Sequence, residues 1–152
     1  MPPARFWEFA HLTDSLKDMG WVDRIPRAGR LYIGGLHALY AHPDRLREAG
    51  ITHVVSALDF DLDTSGDALK GYRHLHVREE DDPNADLLRH FRAANAFIDE
   101  ALRAGGGVFV HCAMGRSRSA TLCCAYLMMK DGVAPGAALE QVCEGRPVCC
   151  PK

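Results

Sequence analysis

The run VFVHCAMGRSRS, residues 108–119, constrains the fold more than any other stretch of this chain. It begins with residues of high β propensity, directly after the triplet Gly105-Gly106-Gly107 that ends a helical pattern. The apolar helical pattern ATLCCAYLMM starts at its other end. A strand that leads through a short loop into a helix is the building unit of α/β folds, so this run indicates that class.

The rest of the chain repeats the alternation of strands and helices. Strands are predicted at residues 30–35, 51–58, 72–77 and 108–111. Helices are predicted at residues 43–49, 86–102, 117–130 and 135–144, with Asp86 as the N-cap of the longest one. We therefore expect an α/β fold with a central, mostly parallel twisted sheet of about four to five strands flanked by helices.

Length and charge limit the organisation of the chain and its partners. The 152 residues suffice for one domain, to which we assign residues 30–152, and residues 1–29 are predicted to be a partly helical N-terminal extension. The formal net charge of −2 argues against nucleic-acid binding by bulk electrostatics. No apolar stretch is long enough to span a bilayer, so we expect neither nucleic acid nor membrane as a direct partner.

The cysteines are not arranged as a disulfide scaffold. Cys123-Cys124 and Cys149-Cys150 are vicinal pairs, no C-x-x-C pair exists, and no export signal precedes them. We expect reduced and mostly packed thiols, with Cys123 and Cys124 in the core. This pattern favours an intracellular compartment, the cytoplasm or the nucleus.

Residues 112–118 form the loop in which an α/β sheet commonly binds its ligand, between the carboxyl end of a strand and a helix N-terminus. Their backbone N–H groups and the first donors of the helix can surround an anion. Gly115 allows a backbone conformation that other residues rarely adopt. The residues of this predicted phosphate loop are Ala113, Met114, Gly115, Arg116, Ser117 and Arg118.

Two side chains add chemistry to this loop. Cys112 lies where the helix dipole, the backbone N–H groups and arginine all favour a thiolate, which is a strong nucleophile. Arg118 has a planar guanidinium that can bind two phosphoryl oxygens at once. The predicted chemistry is nucleophilic attack on phosphorus, with contacts that tighten in the transition state.

The same residues carry a resemblance to a known family. HCAMGRSRS resembles the HC-x5-R-S/T signature of the cysteine-dependent protein phosphatases. LYIG, ITHVVSAL and the helix ending in Phe97-Ile98 resemble the dual-specificity phosphatases, and the similarity covers roughly residues 30–148. The run DDPNADLLRHF is similar to atypical members that carry a C-terminal zinc-binding domain and are linked to ribosome assembly.

The resemblance implies a protein phosphatase-like fold and roles for further residues. Asp81, with Asp82 as the alternative, would protonate the leaving oxygen and then activate water. Ser119 would assist departure of the thiolate, and His111 would orient the loop without transferring a proton. For Arg116 the sequence itself leaves two roles open, substrate binding or an exposed loop cation. The implied substrates are proteins with phosphotyrosine and phosphoserine or phosphothreonine, and the full-length protein would have a pre-ribosomal partner.

Other hypotheses stay open from the sequence. His74 and His76 share one face of a strand, but no third ligand is evident, so neither a metal nor another cofactor is predicted. The resemblance leaves open an adaptor that does not need catalysis and whose phosphatase fold serves as a docking surface in ribosome assembly. A phosphatase for lipid or RNA 5′ phosphates would use the same loop as a protein phosphatase. Family domains usually continue beyond residues 147–152, so we expect a domain truncated at its C-terminus, and no oligomeric state is predicted.

Overall fold

The computed structural model describes residues 22–62, 67–78, 87–113 and 118–145, with the backbone alone for residues 87–89. The strands are β1 (Val22–Arg24), β2 (Leu31–Gly35), β3 (Ile51–Leu58), β4 (Arg73–Arg78) and β5 (Gly107–Cys112). The helices are α1 (His37–Ala41), α2 (Pro43–Glu48), α3 (Leu87–Arg103), α4 (Arg118–Asp131) and α5 (Pro135–Gly145).

In the described part of the chain, the strands form a five-stranded sheet in the order β1-β2-β5-β3-β4. β2, β5, β3 and β4 run parallel, and the short edge strand β1 pairs antiparallel with β2. The α/β fold predicted from the sequence, with its mostly parallel sheet, is confirmed. Every residue of β5 is buried because this strand lies at the centre of the sheet and is covered on both faces.

Alternate residues of β5 pack into two separate apolar layers. Val110 and Cys112 belong to the core that the sheet forms with α3, α4 and α5. Phe109 belongs to a second core, on the side of α1 and α2. Successive strand residues face opposite sides of a sheet, so the thiol of Cys112 and the ring of His111 lie on opposite faces.

The predicted strands and helices agree with the observed ones to within one residue at either end, wherever the chain is described. The sequence did not predict β1, which lies in the segment assigned to an N-terminal extension, nor α1. Both are too short for a hydrophobic period to show, since β1 has three residues and α1 has five. Asp86, the predicted N-cap of α3, lies outside the described residues.

Among the described residues, no helix is both long enough and apolar enough to cross a membrane.

Candidate active site

Cys112 is the last residue of β5, and its side chain faces the start of α4. It is only 5% exposed, and its Sγ lies 3.3 Å from the hydroxyl oxygen of Ser119, which is fully buried in the first turn of that helix. The next residue is tied to the neighbouring strand end, since the carbonyl of Ala113 accepts a hydrogen bond from the N–H of Leu36 at 3.2 Å. The thiol is therefore held at a helix N-terminus, where backbone donors and the helix dipole favour an anion.

Arg118 is the first residue of α4 and brings a cation to the same end of the sheet. Its side chain is 25% exposed, and a guanidinium nitrogen lies 3.8 Å from a carboxylate oxygen of Asp59. Asp59 directly follows β3, the strand beside β5, so the carboxyl ends of two parallel strands meet here. The guanidinium thus stays partly accessible while one neighbour restrains it.

Asp59 was not among the site residues predicted from the sequence, because it begins an acidic stretch that predicts a loop. A signal was present, because the first polar residue after a central apolar strand commonly lines the ligand site of an α/β sheet. The predicted set of site residues therefore lacked this charged neighbour of Arg118.

His111 is fully buried on the other face of β5, where its ring stacks on Phe109 with centroids 5.5 Å apart and an interplanar angle of 12°. Its Nε2 lies 2.5 Å from the hydroxyl of Ser56 on β3. Burial lowers the pKa of His111 to about 3, opposed in part by the backbone of Cys112. The ring is therefore neutral at pH 7 and is held by a hydrogen bond rather than by charge.

Several predicted site residues lie outside the described part of the chain, and their roles stay predictions. They are Asp81, Asp82, Met114, Gly115, Arg116 and Ser117. Among the residues that are described, the structure brings Cys112, Ala113, Arg118 and Ser119 to one end of the sheet, with His111 immediately behind them.

The remaining histidine and cysteine candidates have other surroundings. His74 lies 2.8 Å from Ser56 and His76 lies 3.0 Å from the carbonyl of Leu58. Across residues 22–62, 67–78, 87–113 and 118–145, no group of three or more His, Cys, Asp or Glu side chains is arranged to hold a metal ion. Cys123 is buried in the core and Cys124 packs against it, as predicted, and burial raises the pKa of Cys124 to about 11.

The chain is similar in sequence and in fold to known phosphatases. The sequence model of the dual specificity phosphatase catalytic domain matches residues 31–152. The chain is 38% identical to human dual specificity phosphatase 28 over 124 residues, which are 82% of this chain and 68% of that protein. The crystal structure of human DUSP28 superposes with a TM-score of 0.75 at 34% identity, covering 86% of this chain and 84% of the other. The chain is also 31% identical over 136 residues to the tyrosine-protein phosphatase YVH1 of Saccharomyces cerevisiae, of which it spans only 37%.

Proposed function

Because this chain belongs to the dual specificity phosphatase family, we propose that it hydrolyses phosphorylated proteins through a cysteinyl-phosphate on Cys112. The observation that carries this proposal is the position of the thiol, 3.3 Å from Ser119 at the start of α4, with Arg118 on the same turn. A nucleophile, a helix N-terminus and a bidentate cation are the parts that phosphoryl transfer from a monoester needs.

In the first step, the Cys112 thiolate attacks phosphorus, the sulfur–phosphorus bond forms and the bond to the substrate oxygen breaks. The departing oxygen takes a proton from Asp81, because an alkoxide or phenolate is a poor leaving group. Arg118 binds two of the equatorial oxygens, and these contacts strengthen as negative charge spreads over them.

In the second step, water attacks the phosphorus of the intermediate and gives one proton to the carboxylate of Asp81. The sulfur–phosphorus bond breaks, its electron pair returns to Cys112, and inorganic phosphate leaves. The Ser119 hydroxyl, already 3.3 Å from the sulfur, donates a hydrogen bond to the thiolate as it departs.

The direct test compares wild type with Cys112→Ser and Arg118→Ala on an aryl phosphate in the presence of EDTA. We expect Cys112→Ser to lose turnover, and Arg118→Ala to lose about 100- to 1000-fold in kcat/KM, as expected when a donor to the transition state is removed. Cys124→Ser is the matched control, because that thiol lies on α4 but its pKa is raised to about 11. Turnover retained in Cys112→Ser would contradict the mechanism.

A second pair of variants assigns the general acid. Asp81→Ala should remove the alkaline limb of the pH profile of kcat/KM, because that limb reports the loss of the acid's proton. Asp82→Ala, the adjacent control, should keep it. The opposite result would move the role to Asp82.

The substrate class is proposed from the family. The name of the human relative, dual specificity phosphatase 28, indicates activity on both kinds of phosphorylated residue in that protein, and we extend this to the present chain. Phosphotyrosine and phosphothreonine peptides should both be hydrolysed, and faster than a phosphoinositide in vesicles or an RNA 5′-phosphate measured with the same preparation. A faster reaction with the lipid or the RNA would favour the non-protein alternative.

The finer placement is also a proposal. The resemblance of the run DDPNADLLRHF to atypical members supports the branch with a C-terminal zinc-binding domain and a pre-ribosomal partner. The arrangement of the cysteines supports a cytoplasmic or nuclear location. The full-length protein should then co-sediment with pre-ribosomal particles. If Cys112→Ser fully restores growth to cells lacking the protein, the adaptor hypothesis replaces the catalytic one.

A further inference from the structure

A row of polar side chains crosses the sheet behind the nucleophile. His111 on β5, Ser56 on β3 and His74 on β4 lie on the face opposite the Cys112 thiol, and we call them the His–Ser–His chain. The Ser56 hydroxyl lies 2.5 Å from His111 Nε2 and 2.8 Å from His74 Nε2. His111 and Ser56 are fully buried and His74 is half-buried, so the chain runs from the active-site strand toward the edge of the sheet.

The hydroxyl of Ser56 can donate one hydrogen bond and accept two. If both rings donated to it, its own proton would need a third partner, and the described residues supply none. Two arrangements therefore remain, in which Ser56 accepts from one ring and donates to the other. Either His74 donates to Ser56, which donates to Nε2 of His111, or both bonds run in reverse. In the first arrangement the proton of the neutral His111 ring is on Nδ1, and in the second it is on Nε2.

The surroundings of His111 favour the first arrangement. Its Nδ1 is buried and has no hydrogen-bond partner of standard geometry among the described residues. The backbone of Cys112 nonetheless favours the protonated ring, as an acceptor facing an N–H group does. A proton on Nδ1 uses that acceptor, whereas a bare lone pair there would have no donor.

The other end of the chain is consistent with this direction. His74 stacks against His76 with ring centroids 6.3 Å apart and is in part accessible, so its Nδ1 can accept a hydrogen bond outside the chain. If His74 takes up a proton, both of its nitrogens become donors, and only the first arrangement remains possible.

We propose that Ser56 and His74 are positioning residues that hold the proton of His111 on Nδ1, toward the backbone of the nucleophile Cys112. Neither residue touches the substrate. They act through the ring of His111, whose orientation is also restrained by stacking on Phe109. In other proteins the tautomer of a functional histidine is likewise set by the hydrogen bond that its second ring nitrogen makes. The consequence for catalysis rests on the proposed phosphatase function, whereas the tautomer does not.

The test reads the tautomer and the activity separately. In protein labelled with ¹⁵N-histidine, the ring shifts of His111 should show Nδ1–H in wild type, and the ordered tautomer should be lost in Ser56→Ala and His74→Phe. The kcat/KM for an aryl phosphate should fall about tenfold in both, the effect of one hydrogen bond worth about 1.4 kcal/mol. His74→Gln restores an N–H donor at a similar reach, so it should recover both the tautomer and the rate.

The control is His76→Phe, the same substitution two residues further on the same strand, where Nε2 contacts the carbonyl of Leu58 instead of the chain. It should leave the His111 tautomer unchanged. An Nε2–H tautomer in wild type, or an unchanged tautomer in Ser56→Ala, would overturn the proposal. If the protein lacked phosphatase activity but showed the expected shifts, the proposed function would fail and the positioning role of the chain would stand.

Discussion

Lowering the pH from 7 to 5 should destabilise this fold by about 2 kcal/mol through His111 alone. The ring is fully buried, and its pKa falls from the ordinary 6.5 to about 3, chiefly through loss of solvation. Between pH 7 and 5 the unfolded chain takes up a proton on this residue and the folded protein does not. Stability therefore falls with the pH, because the unfolded state binds more protons.

The magnitude follows from the same two values. A pH of 5 lies about 1.5 units below the pKa of 6.5 of the unfolded imidazole. Each unit corresponds to about 1.36 kcal/mol, so protonation stabilises the unfolded chain by about 2 kcal/mol at this pH. The folded ring is still neutral at pH 5, so the loss in this range is set by the unfolded chain, and it continues as the pH falls toward about 3.

The assay is urea unfolding followed by circular dichroism at both pH values. Burial also lowers the pKa of other histidines, which add to the total: His37, His42, His53 and His74. The contribution of His111 is therefore the difference between wild type and His111→Gln, whose amide can still bond to Ser56 but does not titrate. The variant should lose about 2 kcal/mol less than wild type between the two pH values.

The control is His90→Gln on α3, which leaves His111 in place and should keep the wild-type loss. A second measurement does not depend on the variant: the ring resonances of His111 in the folded wild type should stay constant from pH 7 to 5. Equal losses in wild type and His111→Gln, with a ring that titrates near 6.5, would refute the reasoning.

Three further predictions concern the site and its support. Ser119→Ala removes the hydroxyl that lies 3.3 Å from the sulfur of Cys112, and a hydrogen bond to a charged group such as the departing thiolate is worth about 1.5–3 kcal/mol. Hydrolysis of the phosphorylated intermediate should therefore slow, and rapid kinetics should show a burst of the first product. A linear trace would contradict this prediction. Asp59→Asn breaks a pair whose side chains are 47% and 25% exposed, so KM should rise no more than about fivefold, and a hundredfold loss in kcat would instead implicate Asp59 in the chemistry. Gly107→Ala should lower the free energy of unfolding in urea by about 1–3 kcal/mol, because the new Cβ would lie 2.7 Å from the carbonyl oxygen of Gly50. Gly136→Ala is the control and should not lower it, because no atom lies within 4 Å of a Cβ at that position.

Local sequence patterns predicted most of the fold. The strands Ile51–Leu58 and Gly107–Cys112 and the helix Leu87–Arg103 follow from β propensity, hydrophobic period and glycine boundaries, which act over a few neighbouring residues. β1 was missed because a three-residue strand is defined by its pairing with β2 and not by its own composition.

The site residues also fall into two groups, those that a local sequence pattern identifies and those that only the folded chain brings together. Cys112, Arg118 and Ser119 are recognisable because they lie within eight consecutive residues, which run from the end of β5 to the first turn of α4. Asp59 was not recognised as a neighbour of Arg118, because the two residues are far apart in sequence and meet only where β3 and β5 end together.

The class of fold and the proposed roles of Cys112 and Arg118 could therefore be predicted from the sequence alone, since they depend on local pattern and on one short motif. The residues that lie behind Cys112 could be identified only from the folded chain. Strand order places β3 between β5 and β4, and this order brings Ser56 and His74 into line with His111. Hydrogen bonds across a sheet depend on which strands are neighbours, and no local pattern in the chain encodes that order.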